Sequence, residues 1–159
     1  MRPLLYVETT VVSYLTARPS ANLVAAARQL LTQTWWERER NRYRLIISPV
    51  VLQEAGRGDP EAAQARLDAL NGIEAVALSS AAQHLAQGLA DQVPLPPKAA
   101  TDALHIAAAA AAGADLLLTW NFRHIANPTL RERIAHVCRS EGYGSPVLCT
   151  PEDLLGDAL

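Results

Sequence analysis

Lys98-Ala99-Ala100-Thr101-Asp102-Ala103-Leu104-His105-Ile106, an alanine run to Ala112, Gly113-Ala114-Asp115, Leu116-Leu117-Leu118-Thr119 and Trp120-Asn121-Phe122-Arg123-His124-Ile125-Ala126-Asn127 form the stretch that decides the fold. It reads as helix, glycine stop, buried strand and polar loop. Residues 99–112 are dominated by alanine, the best helix former, and Gly113 sits where a left-handed C-cap falls. Asp102 lies about one turn into that helix, where the macrodipole favours a negative charge. Residues 115–119 are too few for a helix and carry an apolar centre, as expected of a strand covered on both faces in a parallel sheet. Thr119 and Asn121 leave the sheet at the carboxyl end of that strand, the edge where open α/β sheets place their ligands. An acid and a loop amide are therefore expected to converge there.

The same alternation extends outward. Leu4-Leu5-Tyr6-Val7 is a short apolar strand ending at Glu8-Thr9-Thr10, with a helix carrying Val11, Val12, Tyr14 and Leu15 behind it. A carboxylate at the end of a buried strand is costly without a partner, although Glu8 or Thr9 can also serve as a helix cap. Residues 22–42 give the longest helical pattern, with an apolar stripe of Leu23, Ala26, Ala27, Leu30, Leu31 and Thr34. Trp35 and Trp36 cannot both face one core, because adjacent helix positions diverge by about 100°, so one is expected at a surface or an interface. Residues 44–48 read as a second buried strand, and Pro49 suits the first position of a helix over 50–57. On that helix Glu54 shares a face with Val50 and Val51, and an acid on an apolar face calls for an explanation. A helix over 61–70, a strand over 74–78, a helix from Ser79-Ser80 to about Gln92, a stiff proline loop at 93–97, a helix over 128–142 and a last strand at 146–149 complete the chain. Strands alternating with helices predict a three-layer α/β/α fold with a mainly parallel sheet of four to five strands.

Composition bounds what such a fold does. With 159 residues, half of them hydrophobic, the chain suits a single domain spanning 1–159. The net charge of −2 excludes a globally basic field, and only Lys98 of the 14 basic residues is lysine. Cys138 and Cys149 stand without CxxC spacing and no signal peptide precedes Tyr6, which points to a reduced, cytoplasmic protein; no apolar run is long enough for a membrane span.

Strand ends and helix starts make Glu8, Glu54, Asp102 and Asn121 candidates for one patch on the carboxyl edge. Packed carboxylates repel, and a hard divalent cation removes the conflict. Mg²⁺ takes few carboxylates directly and keeps waters, so such a patch can present an activated water to a phosphodiester. Competing readings lack their signatures: there is no Gly-x-Gly-x-x-Gly after the first strand, no Gly-x-x-x-x-Gly-Lys-Ser/Thr, no zinc spacing, and no lysine after a late strand as a phosphoacceptor receiver would need.

Tyr6-Val7-Glu8-Thr9-Thr10 with Val12-Ser13-Tyr14-Leu15, Ser48 through Glu54, Thr101-Asp102-Ala103-Leu104-His105-Ile106-Ala107 and Leu118 through Asn127 resemble, in order and spacing, the successive acidic motifs of the PIN domain, most closely the VapC-type toxins of toxin–antitoxin pairs. The resemblance implies a Mg²⁺- or Mn²⁺-dependent ribonuclease, dimeric and silenced by a cognate antitoxin. By position, Glu8 stands where the family has its first Asp, Thr10 where it has an assisting hydroxyl or amide, Glu54 and Asp102 at the second and third acids, and Asn121 at the usual fourth Asp. Glu8 keeps the charge on a longer arm; Asn121 lowers the charge and with it the expected metal affinity. In the implied mechanism Glu8, Asp102 and Glu54 hold the metal or its water, and Asn121 with Thr10 orients that water for attack on phosphorus, leaving a 5′-phosphate. Arg123 and His124 in the loop, and His105 on the Asp102 face of its helix, are candidate substrate contacts; otherwise His105 is a buried histidine bonded to a carbonyl. The alternative is a catalytically weak PIN-like module binding RNA or a protein, favoured by the neutral Asn121.

Overall fold

The computed structural model describes residues 1–156. Five parallel strands, β1 (Leu4–Val7), β2 (Arg44–Ile47), β3 (Glu74–Ala75), β4 (Leu116–Leu118) and β5 (Val147–Cys149), lie in the order β3-β2-β1-β4-β5. The helices are α1 (Thr9–Thr16), α2 (Leu23–Arg38), α3 (Pro49–Ala55), α4 (Pro60–Leu70), α5 (Ser80–Gln92), α6 (Ala100–Ala111), α7 (Pro128–Ser140) and α8 (Pro151–Leu155). They flank the sheet on both faces in the expected three-layer arrangement. Strand β1 is central, with Leu5, Tyr6 and Val7 inaccessible to solvent and Tyr6 in register with Ile46 on one side and Leu117 on the other. The chain runs outward from β1 through β2 to β3, then returns to β4 on the opposite side. That reversal opens a crevice between the carboxyl ends of β1 and β4, the place where such sheets bind ligands.

Local chemistry explains the boundaries. Four helices, α3, α4, α7 and α8, begin with proline at the first position, where its missing N–H and fixed φ cost nothing. Asn22, Asp59, Ser79 and Asn127 cap helices through their side chains, and Thr150 with Asp153 closes a full capping box on α8. Helix α6 ends at Gly113, whose φ of +73° belongs to the left-handed region that favours glycine. Ala107, Ala108, Ala109 and Ala110 are all buried, so this thin helix is enclosed on every side against β4 and α5. Among the described residues no helix is long and apolar enough to cross a membrane.

The structure differs from the sequence pattern in three places. The pattern over 22–42 divides at Glu39 into α2 and a one-turn helix, Arg40–Arg42. The third strand pairs only at Glu74 and Ala75, both exposed, because it is the outermost strand. Most consequential is α2, whose apolar stripe faces outward: Leu23 is 86 % and Leu30 64 % exposed, whereas Gln29, Thr32 and Trp35 are buried. Gln29 and Thr32 are tolerated inside because each is bonded, whereas the buried Trp35 Nε1 has no partner among the described residues. Gln29 accepts from the Ser20 N–H and donates to the Arg18 carbonyl; Thr32 donates to the Arg28 carbonyl and accepts from Trp120 Nε1. Trp36 stays partly exposed beneath the Arg40 guanidinium while Trp35 is fully enclosed, so the two tryptophans divide as expected.

Candidate metal centre

Glu8 ends β1 and caps α1, and it is buried to 3 % exposure. Its Oε2 carries all of its hydrogen bonds: the Thr10 N–H at 3.1 Å, the Thr119 hydroxyl at 2.8 Å, and the Thr10 hydroxyl. Its Oε1 accepts none among the described residues and lies 4.0 Å from His105 Nε2. Burial pushes the Glu8 carboxyl above the ordinary range, against the opposing pull of His105 and the threonine donors. A carboxyl with one oxygen taking every hydrogen bond and the other none among the described residues, at the end of a central strand, can offer that second oxygen to a cation.

Glu54 projects from α3 into the same crevice. Its Oε1 accepts from the Thr9 hydroxyl at 2.8 Å and from His105 Nε2 at 2.5 Å. Burial pushes this carboxyl up, but the hydrogen bond and charge of His105, the Thr9 hydroxyl and Arg57 outweigh it and leave it below the ordinary value. Glu54 is therefore ionised and can only accept, so His105 Nε2 carries the hydrogen. On the other side of the ring, Tyr6 Oη lies 2.8 Å from Nδ1 and 2.7 Å from Ser48 Oγ. Ser48, Tyr6, His105 and Glu54 thus form one continuous hydrogen-bonded chain. Burial drives the Tyr6 hydroxyl far up and keeps it protonated in that chain. His105 is wholly buried as expected, but its partners are a phenol and a carboxylate and not a carbonyl.

Glu8, Glu54 and His105 each place one ligand atom within 4.8 Å of the others. Two carboxylates, with Glu8 Oε1 unpartnered among the described residues and His105 holding Glu54 in place, are an oxygen donor set that fits a small divalent cation.

Asp102 occupies the first turn of α6, one turn before His105. Its Oδ2 accepts from His124 Nδ1 at 2.8 Å, and both side chains retain partial exposure, 19 % and 14 %. Asn121 Oδ1 accepts the His124 N–H at 3.0 Å, and the Asn121 N–H is held by Thr119 Oγ1 at 2.9 Å. Asp102 and Asn121 are linked through His124, which the two hold by ring and backbone, and neither belongs to the close group of Glu8, Glu54 and His105. With Nδ1 bonded to the carboxylate, Nε2 of His124 has no hydrogen-bond partner among the described residues. Thr10 joins the cluster through Glu8, and its Oγ1 also accepts the Trp120 N–H at 2.9 Å, tying α1 to the loop after β4. Arg123 is exposed on that loop.

Tyr6, Ser48, Thr9 and Thr119 complete the cluster without having been assigned a part in it from the sequence. Tyr6 carried a readable signal, since a tyrosine inside a strand buried on both faces must find a partner for its hydroxyl.

No family model and no curated protein matches the chain. Solved structures do. The VapC20 toxin of Mycobacterium tuberculosis, described as cleaving the sarcin-ricin loop, superposes with a TM-score of 0.61 at 16 % identity over 78 % of this chain and 95 % of that one. A chain of VapBC2 from Rickettsia felis, solved bound to a DNA fragment from the promoter, gives 0.57 at 17 % identity over 92 % of this chain and 98 % of that one. At such identities the likeness is one of backbone architecture, and by that architecture the chain has the PIN-type fold of the VapC toxins.

Proposed function

We propose that the chain, as one domain over 1–159, is a metal-dependent endoribonuclease that hydrolyses RNA phosphodiester bonds and serves as the toxin of a toxin–antitoxin pair. The observation that carries the reading is Glu8 Oε1, the oxygen of a buried glutamate that takes no hydrogen bond among the described residues, close to Glu54 and His105 at the carboxyl ends of the central strands. Glu8 and Glu54 would hold the cation, with Asp102 and Asn121 at the adjoining rim. Mg²⁺ and Mn²⁺ both suit a pair of carboxylates. When bound, the ion supplies charge neutralisation and lowers the pKa of a water.

The chain's own residues perform the remaining tasks. Thr10 and Thr119 fix Oε2 of Glu8, so its free oxygen keeps one direction. The Ser48–Tyr6–His105 chain fixes Glu54. Asp102 orients His124, whose other ring nitrogen, without a partner among the described residues, would exchange a proton with the reacting groups. Arg123, exposed beside it, binds phosphate. Water adds to phosphorus, the bond to the 3′-oxygen breaks, that oxygen takes a proton, and a 5′-phosphate remains.

The toxin reading is supported by the likeness to VapC20 and VapBC2, and it brings a cognate antitoxin, a homodimer and a cytoplasmic RNA substrate with it. The test is cleavage of total RNA by the wild type and Asp102→Ala, with and without Mn²⁺. Cleavage that needs the metal and falls by about 10²-fold or more in the variant is expected; cleavage that survives excess chelator, or persists undiminished in Asp102→Ala, ends the proposal. A second reading, a PIN-like binding module of low activity, draws on Asn121, whose amide oxygen is committed to the His124 N–H. Metal titration separates the two, since a binding module shows no saturation by divalent ions.

A further inference from the structure

Trp120, the residue before Asn121, belongs to a second cluster that the acidic centre does not use. The Arg28 guanidinium carbon lies 5.1 Å from the Phe122 ring centroid, 5.6 Å from that of Trp120 and 5.9 Å from that of Tyr14. The rings also meet one another, Tyr14 against Trp120 at 6.1 Å and Trp120 against Phe122 at 6.0 Å. Trp120 is buried and pinned by its Nε1 to Thr32, whereas Phe122 is 43 % exposed. Arg28 has no carboxylate partner among the described residues. Phe122, Arg28 and Trp120 line an open groove of about 380 Å³ with Leu23, Val24 and Glu152.

We propose that this groove is a base-stacking subsite for single-stranded RNA, in which Phe122 and the Arg28 plane hold the base of a nucleotide flanking the scissile phosphate. The proposal rests on the nuclease reading and gives it a specificity element. Unpaired RNA bases are recognised by stacking on aromatic rings and guanidinium planes, and each such base contributes about 1–3 kcal/mol. An unpaired cation among aromatic faces suits a polyanion whose bases have π faces; an aliphatic partner helix would leave the guanidinium without a counter-charge. Glu152 in the same groove repels phosphate but accepts from a base amino group, so the groove suits the base and not the backbone. The connection to the acidic centre is direct. The Trp120 N–H bonds Thr10 Oγ1, that hydroxyl bonds Glu8, and Phe122 follows two residues later, within about 7 Å along the chain.

The test uses a fluorescein-labelled single-stranded oligoribonucleotide in excess chelator, where hydrolysis is arrested, with abasic residues placed at successive positions and binding read by anisotropy. One abasic position is expected to weaken binding to the wild type about 5- to 100-fold. Phe122→Ala should lose a similar factor on intact RNA and should no longer distinguish that abasic position, while Phe122→Tyr restores both. RNA binding with a flat abasic scan, or Phe122→Ala binding like wild type, overturns the subsite and leaves the nuclease reading standing. No RNA bound, together with none cut when Mn²⁺ is supplied, overturns both. If Phe122→Ala abolishes self-association in sedimentation and leaves RNA binding unchanged, the groove is an interface between copies and the subsite is overturned.

Discussion

Helix α6 contributes to two carboxylate–imidazole pairs, and the contrast between them shows how burial decides what one chemical pair does. His105 meets Glu54 inside the protein at 2.5 Å, and its other nitrogen is backed by Tyr6 and Ser48. Asp102 meets His124 at the rim at 2.8 Å, and the other imidazole nitrogen faces no partner among the described residues. In the first pair every polar atom of the ring is spent on the fold, and the histidine works as a strut. In the second, a ring nitrogen oriented by a carboxylate and a backbone bond has no partner among the described residues. The lesson is that burial commits both nitrogens of one imidazole to the fold, while the less buried pair keeps the spare atom that the proposed chemistry needs.

The contrast can be broken most forcefully at the inner pair. His105→Ala removes one bond each from Glu54 and Tyr6, leaving Thr9 and Ser48 as their remaining partners, and empties a buried site, so it should destabilise the fold by about 1–3 kcal/mol, read as a loss of urea midpoint. A variant as stable as wild type would show that the inner pair is not structural. His124→Ala should reverse the pattern: about 1 kcal/mol or less of stability, because the pair is partly solvated, but about 10²-fold or more in RNA cleavage. Equal activity would remove His124 from the chemistry.

A smaller effect separates Glu8 from Glu54. Burial raises the Glu8 pKa, so the metal-free fold binds that proton more tightly than the unfolded chain does; the resulting stability is present at acid pH and is lost as pH rises through the raised value. Glu54, with its lowered pKa, stabilises above the ordinary carboxylate range and loses that contribution as pH falls through its own lowered value. Glu8→Gln should therefore unfold less readily than wild type in chelator near neutral pH, by about 1 kcal/mol or more, with the gap closing on acidification. Melting curves across that range that stay parallel would mean the Glu8 charge is already compensated in the metal-free protein.

What was legible in the sequence was what is decided locally. The alanine run with its Gly113 stop, the proline-first helices and the short apolar strands announce the alternation, and an acid on the Val50–Val51 face announces Glu54. The partners of those acids lie far along the chain: His105 is 51 residues from Glu54, and Thr119 is 111 from Glu8. No local period encodes such meetings, and three of the cluster's groups, Tyr6, Ser48 and Thr119, look like ordinary strand residues. Helix α2 misleads for the opposite reason. Its apolar stripe is real, yet Gln29 and Thr32 find partners on the inner side and the stripe turns outward. Periodicity identifies a face but not the direction in which it points.

The alanines of α6 carry a further consequence. From Ala107 to Ala111 the helix is sheathed in methyl groups and has no long side chain to yield when a neighbour shifts, so this half of its axis is located by contacts between parts that cannot flex. Asp102 and His105 ride on that axis. Adding even a few carbon atoms at Ala107 or Ala109 would push the whole rod sideways and carry both acid–base pairs with it, so the tolerances of the chemistry are set by the smallest side chains in the molecule, a turn or more away from any reacting atom.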